Sequence, residues 1–273
     1  MELDIKFNRE ASLAHEIVVD AIQLIAGCRR PRRVSWKSNN AGNREVVTDV
    51  DIEVNDYVNS KLHEAFPRDS VLGEESGPVE RRSLADRLWL VDPIDGTRSF
   101  IDEKWGCSTI ISFVENGHPV FSVVGDIKSR EVFAAFEAGV FESMSNQKTT
   151  RIAQPPAWEE KLIWNPYSDN KMKQMLVREF NLCGEFLVES LGLRAVSIAK
   201  GRGKMFVSSP GNSMIWDTAP VWLVIRAMSG DVTDFDGQAL EFNPLHPVNE
   251  NGVIATAGMQ HGEAVRLINR HRN

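Results

Sequence analysis

Apolar residues recur at helical spacing near the start of the chain. Ala14, Ile17, Val18, Ala21 and Ile25 share one face of a 3.6-residue repeat, and Gly27 with Arg29, Arg30 and Pro31 closes the segment. This predicts a first amphipathic helix. A second is predicted from about Asp49 to Phe66, with Val54, Tyr57, Val58, Leu62 and Ala65 on one face and Pro67 ending it. The period then changes. Val71-Leu72-Gly73 reads as a short strand, and Leu88 to Val91 (LWLV) as a buried strand stopped by Asp92-Pro93. STIISFV (108–114), VFSVVG (120–125) and EVFAAF (131–136), separated by the turn sequences ENGHP and DIKSR, predict an antiparallel meander.

After a Gln/Lys/Thr and Pro-Pro connection at 146–156 the pattern alternates. Strand LIWN (162–165) precedes a helix around Lys171–Phe180, and strand FLVES (186–190) precedes a helix around Ala195–Ala199. A helix over about Thr218–Met228 ends at Gly230 and is followed by DVTDF, GVIATA and a terminal helix from about Gly262. Alternation of this kind predicts layered α/β structure. The expected organisation is a single domain, 1–273, with an N-terminal α+β half (1–145) intertwined with a C-terminal α/β half (146–273).

Composition narrows the function. The 273 residues carry 31 Lys+Arg against 38 Asp+Glu, a formal charge of −7, and 42% are hydrophobic. Such a length supports a large core. An acidic balance without a basic block argues against a nucleic-acid polymer or an anionic membrane as partner, and leaves a small anion as ligand if cations bridge it. No apolar run approaches the roughly 18 residues of a spanning helix, and the start of the chain lacks a secretory pattern, so a cytoplasmic location is expected. Cys28, Cys107 and Cys183 are far apart and form no C-x-x-C pair, which fits free thiols.

The chemistry gathers where strands end. Asp92-Pro93-Ile94-Asp95-Gly96-Thr97 follows a buried strand, Gly73-Glu74-Glu75-Ser76 follows another, and Trp216-Asp217 opens a later helix. Each has an ordinary reading as a turn, a solvated loop or a helix cap; Thr48 with Asp51 approximates a capping box. Converging acids without basic company repel one another unless cations neutralise them. Oxygen-rich clusters suit Mg²⁺, which takes phosphate oxygens as further ligands. Other phosphate and metal chemistries are excluded by spacing. D-x-x-D-G-T is not the D-x-D-G-T of haloacid dehalogenase phosphatases, no G-x-x-x-x-G-K-[ST] is present, and the six His residues form no zinc pattern.

GEES at 73–76, WLVDPIDGT at 89–97 and WD at 216–217, with VTDVD at 47–51 in front, resemble the inositol monophosphatase family of Mg²⁺-dependent, lithium-sensitive phosphatases. The order and spacing match across nearly the whole chain. The resemblance implies a layered α/β/α/β/α sandwich of the inositol monophosphatase and fructose bisphosphatase type. It also implies that Glu74, Asp92 and the carbonyl of Ile94 hold one Mg²⁺, that Asp92, Asp95 and Asp217 hold a second, and that a third, weaker ion leans on Glu74 with Glu75 in support. Gly96 and Thr97 would offer N–H groups to the phosphate, while Thr97 and Asp51 would orient and deprotonate the attacking water. A homodimer and a small phosphorylated metabolite as substrate come with the family.

Departures from the family concern the substrate. The inositol-specific members carry a Glu shortly before W-D, in a segment that here reads MFVSSPGNSMI (205–215) and has no acid; Ser208 takes the aligned position. The family's G-[ST]-A-A pattern is replaced by Gly192-Leu193-Arg194-Ala195, and Arg194 has two readings, a contact to a second anionic group or an exposed helix-start residue. Lys37, in SWKS, reads either as a surface lysine or as a contact to the phosphate. DGTRSFI and WDTA are also similar to the phosphoadenosine phosphate phosphatase branch, with Arg194 or Lys204 meeting a second phosphate, and DGTRSFI to the histidinol phosphatase branch. A catalytically silent regulatory or binding relative is the alternative of another class.

Overall fold

The stretches of strand period pair into two large sheets, and the helices of apolar stripe fill the spaces around them. The computed structural model describes residues 8–28, 31, 33–38, 44–76, 86–144, 149–168 and 170–272. Arg29, Arg30 and positions 146–148 of the Pro-Pro connection lie outside the described residues. A helix α1 (Asn8–Gly27) leads to a hairpin, β1 (Val34–Ser38) and β2 (Arg44–Thr48), then to α2 (Asp49–Ala65). Strands β3 (Ser70–Gly73), β4 (Arg87–Asp95), β5 (Ser108–Glu115), β6 (His118–Asp126), β7 (Glu131–Phe136), β8 (Gly139–Met144) and β9 (Thr150–Arg151) form a seven-stranded sheet in that order, with the short helix α3 (Thr97–Ile101) between β4 and β5. Only the β3–β4 pair in this sheet is parallel.

The second sheet has the order β11-β10-β12-β14-β13, from β10 (Lys161–Trp164), β11 (Gly184–Leu187), β12 (Met205–Ser208), β13 (Asp231–Thr233) and β14 (Val253–Thr256). Its helices are α4 (Asn170–Glu179), α5 (Leu191–Ala199), α6 (Ile215–Ala227) and α7 (His261–Arg272). Alternation on the strands sorts the core. Trp89 and Val91 of β4, Ile111 and Phe113 of β5, and Phe121 and Val123 of β6 pack with α1 and α2. The opposite face of that sheet packs on α5 and α6, which also meet the inner face of the second sheet, and α4 and α7 cover its outer face. The result is the α/β/α/β/α sandwich. No helix among the described residues is long and apolar enough to cross a membrane.

Three expectations are corrected. Strand β4 does not stop at Asp92-Pro93 but runs to Asp95, because Pro93 sits in a bulge where its missing N–H removes no ladder bond. FLVES is a strand only to Leu187; Ser190 instead accepts the Leu193 N–H as an N-cap, so α5 starts four residues before Ala195. Within the 205–215 segment, Met205–Ser208 form the buried strand β12 of the second sheet. Finally, the acids are not without basic company, as the site shows.

Candidate active site

The bulge in β4 creates the geometry. In a regular strand, residues three apart point to opposite faces. Here Asp92 pairs with Ile110 and Asp95 with Ser108, so the three-residue step on β4 opposes a two-residue step on β5 and both carboxylates turn to one side. Thr109 Oγ1 donates to Pro93 O at 2.8 Å and holds the bulge. Asp217, in the first turn of α6, arrives from the other half of the chain with its carboxylate accepting the Met214 N–H at 2.7 Å. Ligand oxygens of Asp92, Asp95 and Asp217 all lie within 4.8 Å of one another.

These acids fit a hard divalent cation. Asp92 Oδ1 is buried and has no hydrogen-bond partner among the described residues. Burial first, then the charges of Glu74, Asp95 and Asp217, push the Asp92 carboxyl well above its ordinary range. Asp217 is raised by burial and by Asp95, against the Met214 N–H that lowers it. Burial raises Asp95 to about 7, although Ser190 Oγ at 2.6 Å, Gly192 N–H at 3.1 Å and the charge of Arg194 all favour its ionised form. An all-oxygen cluster that destabilises its own charge is what Mg²⁺ relieves. Ile94 lines the same pocket, and its carbonyl accepts the Thr97 hydroxyl at 3.1 Å.

Thr48 and Asp51 do form a capping box at the start of α2, which accounts for one Asp51 oxygen, Oδ2. The cap leaves Oδ1 facing Thr97 Oγ1 at 3.4 Å, so structural and candidate catalytic readings hold together. Burial raises the Asp51 pKa to about 7, with Thr48 lowering it and Glu74 and Glu75 raising it. Gly96 stands before α3 with φ of +91°, and a Cβ there would lie 2.8 Å from Gly106 O, so only glycine fits the turn into α3.

The outer residues depart from expectation. Lys37 is no free surface lysine: its ammonium reaches Glu74 Oε1 at 2.9 Å and pairs with Glu75. Burial lowers its pKa, but the two glutamates more than offset this and hold it protonated. Arg194 lines the pocket but is not an exposed helix-start residue. It is 2% exposed, and Nε and Nη2 donate to Val188 O and Glu189 O at 2.9 and 2.5 Å. Lys204 pairs with Glu160 and is not among the pocket's lining residues. Ser208 does line the pocket, with Ser209, Asn212 and Ser213 beside it, and the buried Ser213 Oγ has no partner among the described residues. Glu189, which accepts the Ser99 N–H at 2.6 Å, also lines it; it falls inside FLVES, a stretch that reads as strand in the sequence. Arg98 stands exposed at the rim, 5.7 Å from the Tyr167 ring. The pocket holds about 430 Å³, enough for a small metabolite.

A sequence profile of the inositol monophosphatase family matches residues 8–273. The chain belongs to this family. It is 28% identical over 239 residues to fructose-1,6-bisphosphatase/inositol-1-monophosphatase of Thermotoga maritima, covering 87% of this chain and 88% of that protein. It is 29% identical over 231 residues to 3'(2'),5'-bisphosphate nucleotidase CysQ of Escherichia coli K12, covering 82% and 89%. The structure of an IMPase/NADP phosphatase complexed with Mg²⁺ and phosphate has the same fold, with a TM-score of 0.76, 19% identity and 96% of both chains covered.

Proposed function

We propose that the pocket hydrolyses a small phosphate monoester by direct attack of water, with two to three Mg²⁺ ions held by its carboxylates. The convergence of Asp92, Asp95 and Asp217 beside the Asp51–Thr97 pair carries this reading. Glu74, Asp92 and the Ile94 carbonyl would hold one ion, Asp92, Asp95 and Asp217 a second, and Glu74 with Glu75 the third. Mg²⁺ supplies neutralisation of phosphate charge and acidification of water. The N–H groups of Gly96 and Thr97, at the start of α3, orient the phosphate. The Thr97 hydroxyl positions the water, and Asp51 Oδ1 takes its proton, a role suited to a base whose pKa lies near neutrality. No side chain needs to form a covalent intermediate. Relatives named for bisphosphatase, monophosphatase and nucleotidase activity support phosphate ester hydrolysis. The homodimer in this proposal rests on family membership.

A second reading, a bisphosphorylated nucleotide as substrate, is favoured by Arg98, a rim cation able to meet a second phosphate, and by the similarity to CysQ. Ser208 in place of an acid weakens recognition of inositol hydroxyls. Phosphate release with and without Mg²⁺ from inositol phosphate, phosphoadenosine phosphate, histidinol phosphate, fructose bisphosphate and glycerol phosphate tests both. Mg²⁺-dependent release is expected, and the preferred ester names the branch. No release from any ester by protein that still binds Mg²⁺ would favour the silent relative.

A further inference from the structure

The connection between β11 and α5, residues 188–190, braces the site at three points. Ser190 Oγ donates to Asp95 Oδ2, and Gly192 N–H joins it on the same oxygen. Glu189 Oε2 accepts the Ser99 N–H inside α3. Ser190 N–H donates to Gly106 O at 2.8 Å, the carbonyl against which Gly96 is packed. One short segment thus holds a candidate metal carboxylate and both flanks of the phosphate turn.

What holds the segment is Arg194. Its guanidinium forks onto two consecutive carbonyls, Val188 O and Glu189 O, and the side chain is among the largest fully buried ones of the described residues. Desolvating a guanidinium is costly, and Leu or Met would fill the volume without that cost. Burial lowers its pKa to about 10 against the charges of Asp95, Glu189 and Asp217, so it stays protonated. Two carbonyls that point inward beside an acid cluster need a rigid, charged, bidentate donor, and arginine alone supplies one.

We propose that Arg194 is a positioning residue: by fixing the backbone of 188–190 it sets the orientation of Asp95 and α3, and through them the affinity for Mg²⁺ and the turnover of the bound ester. The inference rests on the phosphatase reading, but its first readout is metal binding rather than activity. Substitutions at partners that orient metal ligands lower metal affinity by roughly 10–100-fold. Arg194 acts one step further out, so about a tenfold loss is expected.

The test uses the full chain and calorimetric titration with Mg²⁺ in the absence of substrate, with kcat, KM and Tm alongside. Arg194→Lys keeps the charge and loses the fork; Arg194→Met loses both. Both should bind Mg²⁺ about tenfold more weakly and show a fall in kcat larger than the change in KM. The Met variant also removes a positive charge from beside the metal acids. A role as mere counter-charge therefore predicts tighter Mg²⁺ binding in that variant, and that result would overturn the proposal. Either variant decides the matter if the other fails to fold. Leu267→Ala, in the α7 layer far from the brace, should lower Tm while leaving Mg²⁺ affinity at the wild-type value. Wild-type affinity in the Arg194 variants would refute positioning alone, whereas a wild-type protein that binds no Mg²⁺ would refute the phosphatase reading itself.

Discussion

Replacing Asp95 by Asn separates the charge of the acid cluster from its shape. Asp95 is 6% exposed, and burial raises its pKa from 3.8 to about 7 despite Ser190, Gly192 and Arg194. An acid whose folded pKa lies above its unfolded value destabilises the fold once ionised. The penalty is absent below pH 3.8, grows as pH rises, and is complete above about 7. At 1.36 kcal/mol per unit the ceiling is about 4 kcal/mol. Asn is isosteric, and its amide oxygen still accepts from Ser190 and Gly192, so the substitution removes the penalty without opening a cavity. If half the ceiling is realised, about 2 kcal/mol, metal-free Asp95→Asn should melt roughly 4–8 °C above the wild type at about pH 8. Added Mg²⁺ should reverse the order, because a ligand that binds only the folded state stabilises the protein that binds it better. Phosphate release by the variant should be lost under the same conditions. Scanning calorimetry in chelator and in excess Mg²⁺ measures both shifts. A variant that melts below the wild type in chelator, or gains as much from Mg²⁺, would refute the reasoning.

Thr97→Val should retain Mg²⁺ binding but lower kcat by about 10²–10⁴-fold, the usual contribution of a positioned proton-transfer group; unchanged turnover in a steady-state assay would remove Thr97 from the mechanism. Gly96→Ala should cost roughly 1–3 kcal/mol in denaturant unfolding and abolish activity, since its φ of +91° and the 2.8 Å approach to Gly106 O leave no room for Cβ. His261 is hydrogen-bonded to Thr233 and Thr256, and burial lowers its pKa below 6.5. Above that pH it is neutral in both states; as pH falls below it, the unfolded chain takes the proton first and stability declines. His261→Gln should flatten that slope in Tm measured against pH, and an equal slope in both proteins would show that another group causes it.

The local motifs were legible because their chemistry is short-range. D-P-I-D-G-T announces a strand end, a turn and two acids in six residues, and the three strands of the meander carry their own period and turns. The predicted helices exist because their apolar stripes are regular. Less visible were features fixed by distant partners. The VSWKS and REVVT strands are short, and VSWKS is exposed at all but one position, so their pairing as a hairpin has little pattern behind it. The early start of α5 depends on Ser190 capping it, and Gly192 packs near Ile110 and Val124 in the facing sheet. Arg194 shows why a charged residue at a helix start is ambiguous in sequence: the same residue serves as an anion contact, a solvated side chain or an internal brace, according to where β11 ends. The bulge at Pro93 is the clearest case. A proline that reads as a strand stop instead turns Asp95 onto the same face as Asp92, which strict alternation forbids.

The most direct measurement is a crystal structure of the protein grown with Mn²⁺ in place of Mg²⁺, with anomalous diffraction used to locate the ions. Peaks between Asp92, Asp95 and Asp217, and between Glu74, Asp92 and the Ile94 carbonyl, are predicted, with added phosphate seated at the Gly96–Thr97 turn. Mn²⁺ bound elsewhere while these carboxylates stay protonated and paired with one another would contradict the metal-dependent site.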